Sequence, residues 1–468
     1  MSTATQPDVT AAMKATPIHR VHGSFEEVSH LRSAWNRLAC RTGDLFGSYD
    51  WCETWWRHFG ARRRLEIHTL HDKDQLVAVM PLFRELLMIG CVCLHVVRMV
   101  ACDYGSDAVG LAMEPQYAEE FLHTVLARLG ERGPWDVLQI GPLRSYHGIV
   151  DTLGCACVCS PHVGKAIIGR QDNWLTMYDL PPRYEDYLQT MPRHDRHDTQ
   201  RRERRLREGR EVEISQADTP ERVEEAMNAL VNLHQQLWTA KGEHGHFGDW
   251  PALARFHHEI AQKMLRSGQL ALVTIKVDKQ VVGAAYGCHF GGRTHSMFRG
   301  YRSDSPWRNF ALGRMLHFRM IRSAIERGSS VVESGRGVFD YKLRLGGALH
   351  GERSLAIVHS GWHSRLRVWA AMRAAYLLHA GYGRIWMDML APRLGLRPRP
   401  WHSYVRFRFL AHLVRRIPHL SLFTGPVLVE ARGVAPPPHE AEPLPQAETR
   451  SEEHTSELQS QFHLVCSL

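Results

Sequence analysis

QLALVTIKVDKQVVGAAYGCHFGGRTHSMFRGY, residues Gln269–Tyr301, decides the fold. Gln269–Val277 is β-branched and apolar, Asp278-Lys279 is turn chemistry, and Gln280–Phe290 is a second apolar run. Gly291-Gly292 is a hairpin turn, and Arg293–Tyr301 is a third run, so three meandering strands are predicted. The period then becomes helical. Phe310, Leu312, Leu316, Met320, Ile321 and Ala324 recur at helical spacing across Arg308–Arg327, and Gly328 stops the helix. Val331–Glu333 predicts one more strand.

The junction of third strand and helix reads Arg308-Asn309-Phe310-Ala311-Leu312-Gly313, just after Pro306. Small residues at a helix start let several backbone N–H groups point at one spot, which suits a phosphate or diphosphate. The junction resembles the diphosphate loop of GNAT acetyltransferases, whose pattern is Arg/Gln-x-x-Gly-x-Gly/Ala. Arg308 and Gly313 match, while Ala311 stands where the family usually has Gly, a departure expected to narrow the approach of a cofactor. The resemblance implies that Arg308, Asn309, Phe310, Ala311, Leu312 and Gly313 bind the cofactor. The plainer alternative is a helix start whose small residues serve packing.

The chain has 468 residues, 44% hydrophobic and 23% charged, which suits two or three globular domains. A net charge of +9, with 30 His adding to it below neutral pH, favours anionic partners: a nucleotide cofactor, an anionic sugar or a membrane surface. Among ten Cys, Cys91, Cys93, Cys102, Cys155, Cys157 and Cys159 lie in or near apolar runs without zinc-type spacing to His. Free thiols in a reducing cytoplasm, and no metal, are therefore expected. The alternation Cys155-x-Cys157-x-Cys159 predicts a strand with its thiols on one face. The opening MSTATQPDVTAAMKATP has no apolar core and is not a secretory signal. No uncharged apolar run is long enough to span a bilayer.

Residues 1–17 are expected to be disordered. His22–Leu38 reads as a helix, and Gly47–Gly60 as the aromatic-rich start of another. Leu65–His71, Gln75–Arg84 and Val92–Val100 read as strands, then Ala108–Leu111 as a short strand, Gln116–Arg132 as a helix and Asp136–Ile140 as a strand. This repeats the order of the opening stretch, so the chain reads as two degenerate copies, 18–180 and 181–360. The first copy has Asp103-Tyr104-Gly105-Ser106-Asp107 in place of the small-residue loop, and two carboxylates there would repel a diphosphate. Only the second copy is expected to hold the cofactor, the first shaping the acceptor side.

Within the second copy, Arg193–Arg210 is intensely basic: either a solvated helix face with Glu–Arg pairs or a clamp for phosphates. Thr219–Gly242 is an amphipathic helix capped by Thr219, with Val223, Ala226, Leu230, Leu233 and Leu237 as its stripe and His234 and Trp238 one turn apart. Lys241–Trp250 is a Gly- and His-rich loop that could form a lid. Residues 361–420 form a basic, aromatic, helical extension whose segment 393–418 either packs on the domain or lies on a membrane surface. The tail 435–468 is expected to be disordered. Arg450–Ser460 (RSEEHTSELQS) reads as a translated sequencing-library adapter, so no function is drawn from 450–468.

The tandem arrangement resembles the FemAB-like branch of the GNAT superfamily, and more specifically the CelD/BcsL-type acetyltransferases of cellulose and exopolysaccharide biosynthesis. Trp35 and Leu38, Phe46-x-x-Tyr49-x-Trp51, Trp55-Trp56 with Phe59-Gly60, Val77–Leu82, Arg201–Leu206 before Gly209, and Arg336-Gly337 with Tyr341-Lys342 carry the resemblance. Glu333 departs from the Asp that family members tend to have. The resemblance implies an α/β (α+β) fold of two tandem GNAT-like domains, each a mixed, mostly antiparallel sheet flanked by helices. It implies acyl transfer from acetyl-CoA or another acyl-CoA to an amine or hydroxyl on a small molecule or sugar.

Such a reaction aligns an activated thioester, accepts a proton from the nucleophile and gives one to the thiolate. Glu333, with His234 as a second candidate, is the expected base, and Tyr341 the expected acid. Arg336, Lys342 and Trp238 are expected to bind substrate. Each has a structural counterpart; Glu333 paired with Arg336 and Tyr341 as a core residue are two. Two other readings stay open: a FemAB-like transferase using aminoacyl-tRNA, and a non-catalytic, membrane-peripheral scaffold of a polysaccharide synthase. The retained loop argues against a nucleic-acid partner. The expected location is the cytoplasm, free or against the inner face of the membrane.

Overall fold

A computed structural model describes residues 17–395 except 90, 103–108, 145–147, 170–172, 241–244 and 250. The expectations for residues 1–16, for Asp103–Asp107, for 396–420 and for the tail lie outside the described residues, as do parts of the Lys241–Trp250 loop.

The first half runs β1 (Ile18–His22), α1 (Arg32–Thr42), α2 (Tyr49–Phe59), β2 (Arg64–Asp72), β3 (Gln75–Ile89), β4 (Val92–Met99), β5 (Ala112–Met113), α3 (Ala118–Glu131), β6 (Val137–Arg144), α4 (Ile149–Val158) and β7 (Val163–Ile168). The second runs β8 (Asn173–Asp179), α5 (Tyr184–Thr190), α6 (Arg193–Arg207), β9 (Val212–Gln216), α7 (Pro220–Ala240), α8 (His246–Asp249) and α9 (Pro251–Arg266). It continues with β10 (Leu270–Val277), β11 (Gln280–Phe290), β12 (Arg293–Tyr301), α10 (Leu312–Glu326), β13 (Val331–Arg336), α11 (Asp340–Arg344), β14 (Ala348–His359) and α12 (Trp362–Gly381).

These strands form one mostly antiparallel sheet in the order β1-β2-β3-β4-β6-β14-β8-β13-β12-β11-β10-β9, with β5 on β3 and β7 on β14. The turns follow the sequence signals. Asp278-Lys279 and Gly291-Gly292 all have positive φ, the geometry that matches a two-residue hairpin to strand twist. The two halves repeat each other in pairing. β4 and β6 run parallel over Val96–Arg98 against Val137–Gln139, as β12 and β13 do over Arg293–His295 against Val331–Glu333. β14 pairs with both β6 and β8, which fuses the two halves into one sheet.

Period-two alternation sorts the second half into two faces. Leu312, Met315 and Leu316 of α10 pack with Ile275, Val282 and Ala285 on one side. Leu230 of α7 and Phe256 and Ile260 of α9 pack with Ala284, Tyr286 and Cys288 on the other. Trp35, Trp51 and Trp55 of the first half join this second cluster, and the Trp51 and Phe256 rings meet edge-on at 5.0 Å. Full burial of such side chains contributes about 1.5–3 kcal/mol each, so the aromatic segment holds the first half against α9.

Several expectations need correction. His22–Leu38 is not one helix: Ile18–His22 pairs with β2, and α1 begins at Arg32. The short strand lies at Ala112–Met113, not Ala108–Leu111. Cys155 and Cys157 lie on helix α4 and Cys159 at its C-cap, not on a strand; Cys157 is buried while Cys155 and Cys159 are exposed. Alternation over five residues could not distinguish the two, and apolar contacts with α3 and β7 settle it. Burial pushes the Cys157 thiol up to about 12.

Candidate active site

The parallel pairing of β12 and β13 ends at His295 and Glu333, yet both strands continue. Each carries an irregularity just beyond that point. Gly287 pairs with Ser296 and Tyr286 with Phe298, so Met297 is an extra residue in β12. β13 shifts register on β8 between Glu333 and Arg336, with Gly335 at φ 64°. Bulges bend strands and increase their twist, and here they turn two neighbours apart. Gly287 permits this: a Cβ there would come within 2.3 Å of the His295 carbonyl oxygen.

A cleft of about 730 Å³ occupies the gap, a size that suits a cofactor site. Its walls include Met297–Arg299 of β12, Ser334–Arg336 of β13, the start of α10, and His234, Trp238 and His246 from the opposite face. It therefore passes through the sheet, with α10 on one side and α7 and α8 on the other.

The expected cofactor loop lies at its mouth. Arg308, Ala311, Leu312 and Gly313 line the cleft. Asn309 is exposed, and its carbonyl accepts a 2.6 Å hydrogen bond from Arg202. Phe310 is buried in the core. These two shape the turn rather than face the cleft. Ala311 sits in the left-handed region (φ 52°, ψ 46°) and precedes the helix without a side-chain cap. Leu312 and Gly313 are the first two helical residues, so their N–H groups have no intrahelical acceptor. An uncapped helix start carrying partial positive charge fits a diphosphate, and exposed Arg308 adds a full charge beside it.

The basic helix α6 braces this mouth. Asp198 hydrogen-bonds Arg201, Arg202 and Arg314, while Glu203 bonds Arg207 and Arg319. Burial would raise the Asp198 carboxyl, but the hydrogen bonds from Arg202, Arg314 and Arg201 hold it well below the usual carboxylate range. Ion pairing thus accounts for much of the arginine run, and its carboxylates dock α6 against α10.

The remaining expected residues converge in part. His234 is buried, with Nδ1 3.0 Å from the Arg299 carbonyl and Nε2 3.0 Å from His246 Nδ1. A carbonyl only accepts, so Nδ1 carries the proton. Nε2 of His234 then accepts from His246 Nδ1. His234 orients His246 and lines the cleft beside it. Trp238 lies against both imidazoles and lines the cleft. Tyr341 is 40% exposed, and its hydroxyl accepts a 3.0 Å bond from Arg299. Arg336 also lines the cleft, but its Nε is bound 2.7 Å from Glu352.

Lys342 lines the cleft, whereas Glu333 does not. The buried Lys342 ammonium donates to the Ser334, Gly335 and Arg336 carbonyls at 2.8, 3.4 and 3.0 Å, which fixes the end of β13. Glu333 is 3% exposed and 2.7 Å from Arg144. It lines a second, smaller cavity with Phe46, Trp51, Arg144, His257 and His295. An arginine-bound carboxylate outside the main cleft is a poor direct base. His246, Arg299, His295 and Arg144 were not singled out from sequence; of these only His246 had a signal, in the His-rich loop.

Residues 193–343 match the family described as an acetyltransferase (GNAT) domain. No curated protein matches the chain. Among solved structures, FemX aligns at 11% identity with a TM-score of 0.49, covering 73% of this chain and 97% of that one. L-PGS from Bacillus licheniformis aligns at 13% and 0.42, covering 73% and 95%. A tandem GNAT protein from the clavulanic acid biosynthesis pathway aligns at 11% and 0.37, covering 74% and 99%. The segment that holds the split strands, the cleft and the open helix start is thus similar to the GNAT acetyltransferase domain.

Proposed function

We propose that the protein is an acyltransferase that moves an acyl group from acyl-CoA to an acceptor entering from the α7–α8 face. One observation carries this reading: an uncapped helix start opens onto a cleft that passes between two diverging parallel strands. The N–H groups of Leu312 and Gly313, with Arg308, hold the diphosphate. The pantetheine arm lies between β12 and β13, which brings the thioester to the backbone beside Met297. A backbone N–H there polarises the carbonyl, and Tyr341, oriented by Arg299, protonates the departing thiolate.

Residues 18–180 form the domain that walls the acceptor side, and 181–360 the domain that binds the donor. Following the resemblance to CelD/BcsL-type enzymes, we place the acceptor among sugars of polysaccharide biosynthesis. The aminoacyl-tRNA alternative is weakened because arginines of α6 are engaged by Asp198 and Glu203. The scaffold alternative retains some support from α12. Val368, Ala371 and Ala375 are buried on its inner face, while Trp362, Leu366, Trp369 and Tyr376 are exposed. Among the described residues, no helix is long and apolar enough to cross a membrane.

Calorimetry and thermal shift with acetyl-CoA, longer acyl-CoAs and free CoA test the reading on the full chain. Saturable binding at one site, with a rise in Tm, is expected. No binding of any CoA species refutes the donor site.

A further inference from the structure

We propose that the acceptor is an alcohol whose hydroxyl sits in the small cavity between the two halves, with His295 as its base and Glu333 as the positioning residue behind that base. This rests on the acyltransferase reading and assigns its acceptor class.

The cavity measures about 30 Å³ and shares Met297, Phe298 and Gly335 with the main cleft. A water-sized group needs about 10–15 Å³ on this measure. The space admits a terminal hydroxymethyl group and excludes a ring. Phe46, Trp51 and Arg144 come from the first half, and His257, His295, Met297 and Glu333 from the second.

The lining is unusually polar for its burial. His257 and His295 are each 2% exposed, yet neither His257 ring nitrogen, nor His295 Nε2, nor Trp51 Nε1 has a hydrogen-bond partner. A buried polar group left unmet is costly, so each of these atoms favours a ligand that answers it. A hydroxyl both donates and accepts, so it can answer an indole N–H and a neutral imidazole at once. Burial holds His257 neutral, its pKa lowered to about 3.

Charge selects hydroxyl over amine. Glu333 is the one carboxylate among the described lining residues. Its oxygens lie 2.7 Å from Arg144 and 3.9 Å from Arg293. The guanidinium groups of Arg144 and Arg293 beside Glu333 disfavour an entering ammonium. An alcohol arrives neutral and needs a base.

His295 supplies it. Its Nδ1 lies 3.3 Å from Glu333, within ion-pair range, so the carboxylate stabilises the imidazolium as it forms. His295 is also the last β12 residue paired with β13, at the point where the strands part. The alcohol oxygen attacks the thioester carbon while its proton passes to His295 Nε2. The C–S bond breaks, its electron pair leaves on sulfur, and Tyr341 protonates that thiolate. His295 then releases its proton, and solvent reprotonates Tyr341. The products are an ester and CoA.

The test uses the full chain with acetyl-CoA and two matched probe pairs: ethanol against ethylamine, and ethylene glycol against ethylenediamine. CoA release and ester or amide mass are read together. Ester formation above the no-acceptor rate is expected, with amide at least tenfold slower. His295→Gln should lower ester formation at least thirtyfold with CoA affinity unchanged. Glu333→Gln should lower kcat for the alcohol with its KM little changed, and Glu333→Asp should restore part of kcat. CoA binding without ester from either alcohol, amide in excess of ester, or an unchanged rate in a folded His295→Gln protein each overturn the inference. Absence of CoA binding would instead refute the donor site.

Discussion

Replacing Gly313 with alanine tests the diphosphate site with the smallest available change. A Cβ at this position would meet Tyr301 Cε1 at 2.6 Å, Cζ at 2.8 Å and Oη at 3.2 Å. Ordinary contact begins nearer 3.5 Å, so the ring must give way. Tyr301 lines the cleft, and that is its open side. The ring therefore swings into the space the diphosphate needs, beside the two free N–H groups. Losing one or two charge-assisted hydrogen bonds costs about 1.5–3 kcal/mol each. At 1.4 kcal/mol per tenfold, CoA affinity should fall by at least about tenfold for one weak bond and up to about 20,000-fold for two strong ones. Overpacking costs about 1–3 kcal/mol of stability, partly offset by about 1 kcal/mol of helix propensity gained over glycine. Calorimetry with CoA and with pantetheine separates the effects, because pantetheine lacks the diphosphate. The expected result is a large loss for CoA and a small one for pantetheine, in a protein whose Tm falls by only a few degrees. A folded variant that binds CoA within threefold of the parent refutes the assignment.

Three further outcomes follow from other residues. Ala311→Gly relieves a left-handed conformation that costs a non-glycine residue about 1–2 kcal/mol; after glycine's larger unfolded-state entropy, stability should rise by up to about 1 kcal/mol in urea melts, with CoA affinity retained. Lys342→Met strands three carbonyls that the ammonium now serves. Each carbonyl left unmet should destabilise by about 1–3 kcal/mol, whereas a lysine that only met an anionic ligand would leave the melt unchanged. Burial lowers the His257 pKa from 6.5 to about 3, so the unfolded chain binds the extra proton first. Its contribution is then intact above pH 6.5 and declines as pH falls toward 3, by up to about 1.4 kcal/mol per unit. Urea melts of His257→Phe should be correspondingly flatter between pH 6 and 4.

Local chemistry in the sequence determined much of the second half. Turn residues at 278–279 and 291–292, two-residue alternation and the change to helical period placed β10 to β12, α10 and β13, because each signal acts within a few residues. The same holds for the open helix start, since small residues without a capping side chain are readable in order. The partners of charged groups were not legible. Glu333 meets Arg144 across 189 positions, and Lys342 of α11 turns back onto the end of β13, because burial penalises an unmatched charge and geometry selects the match. Nor could the sequence mark where β12 and β13 part, since a bulge depends on both neighbours of a strand. The cleft, the second cavity and the histidines in it exist only once the sheet brings the two halves together.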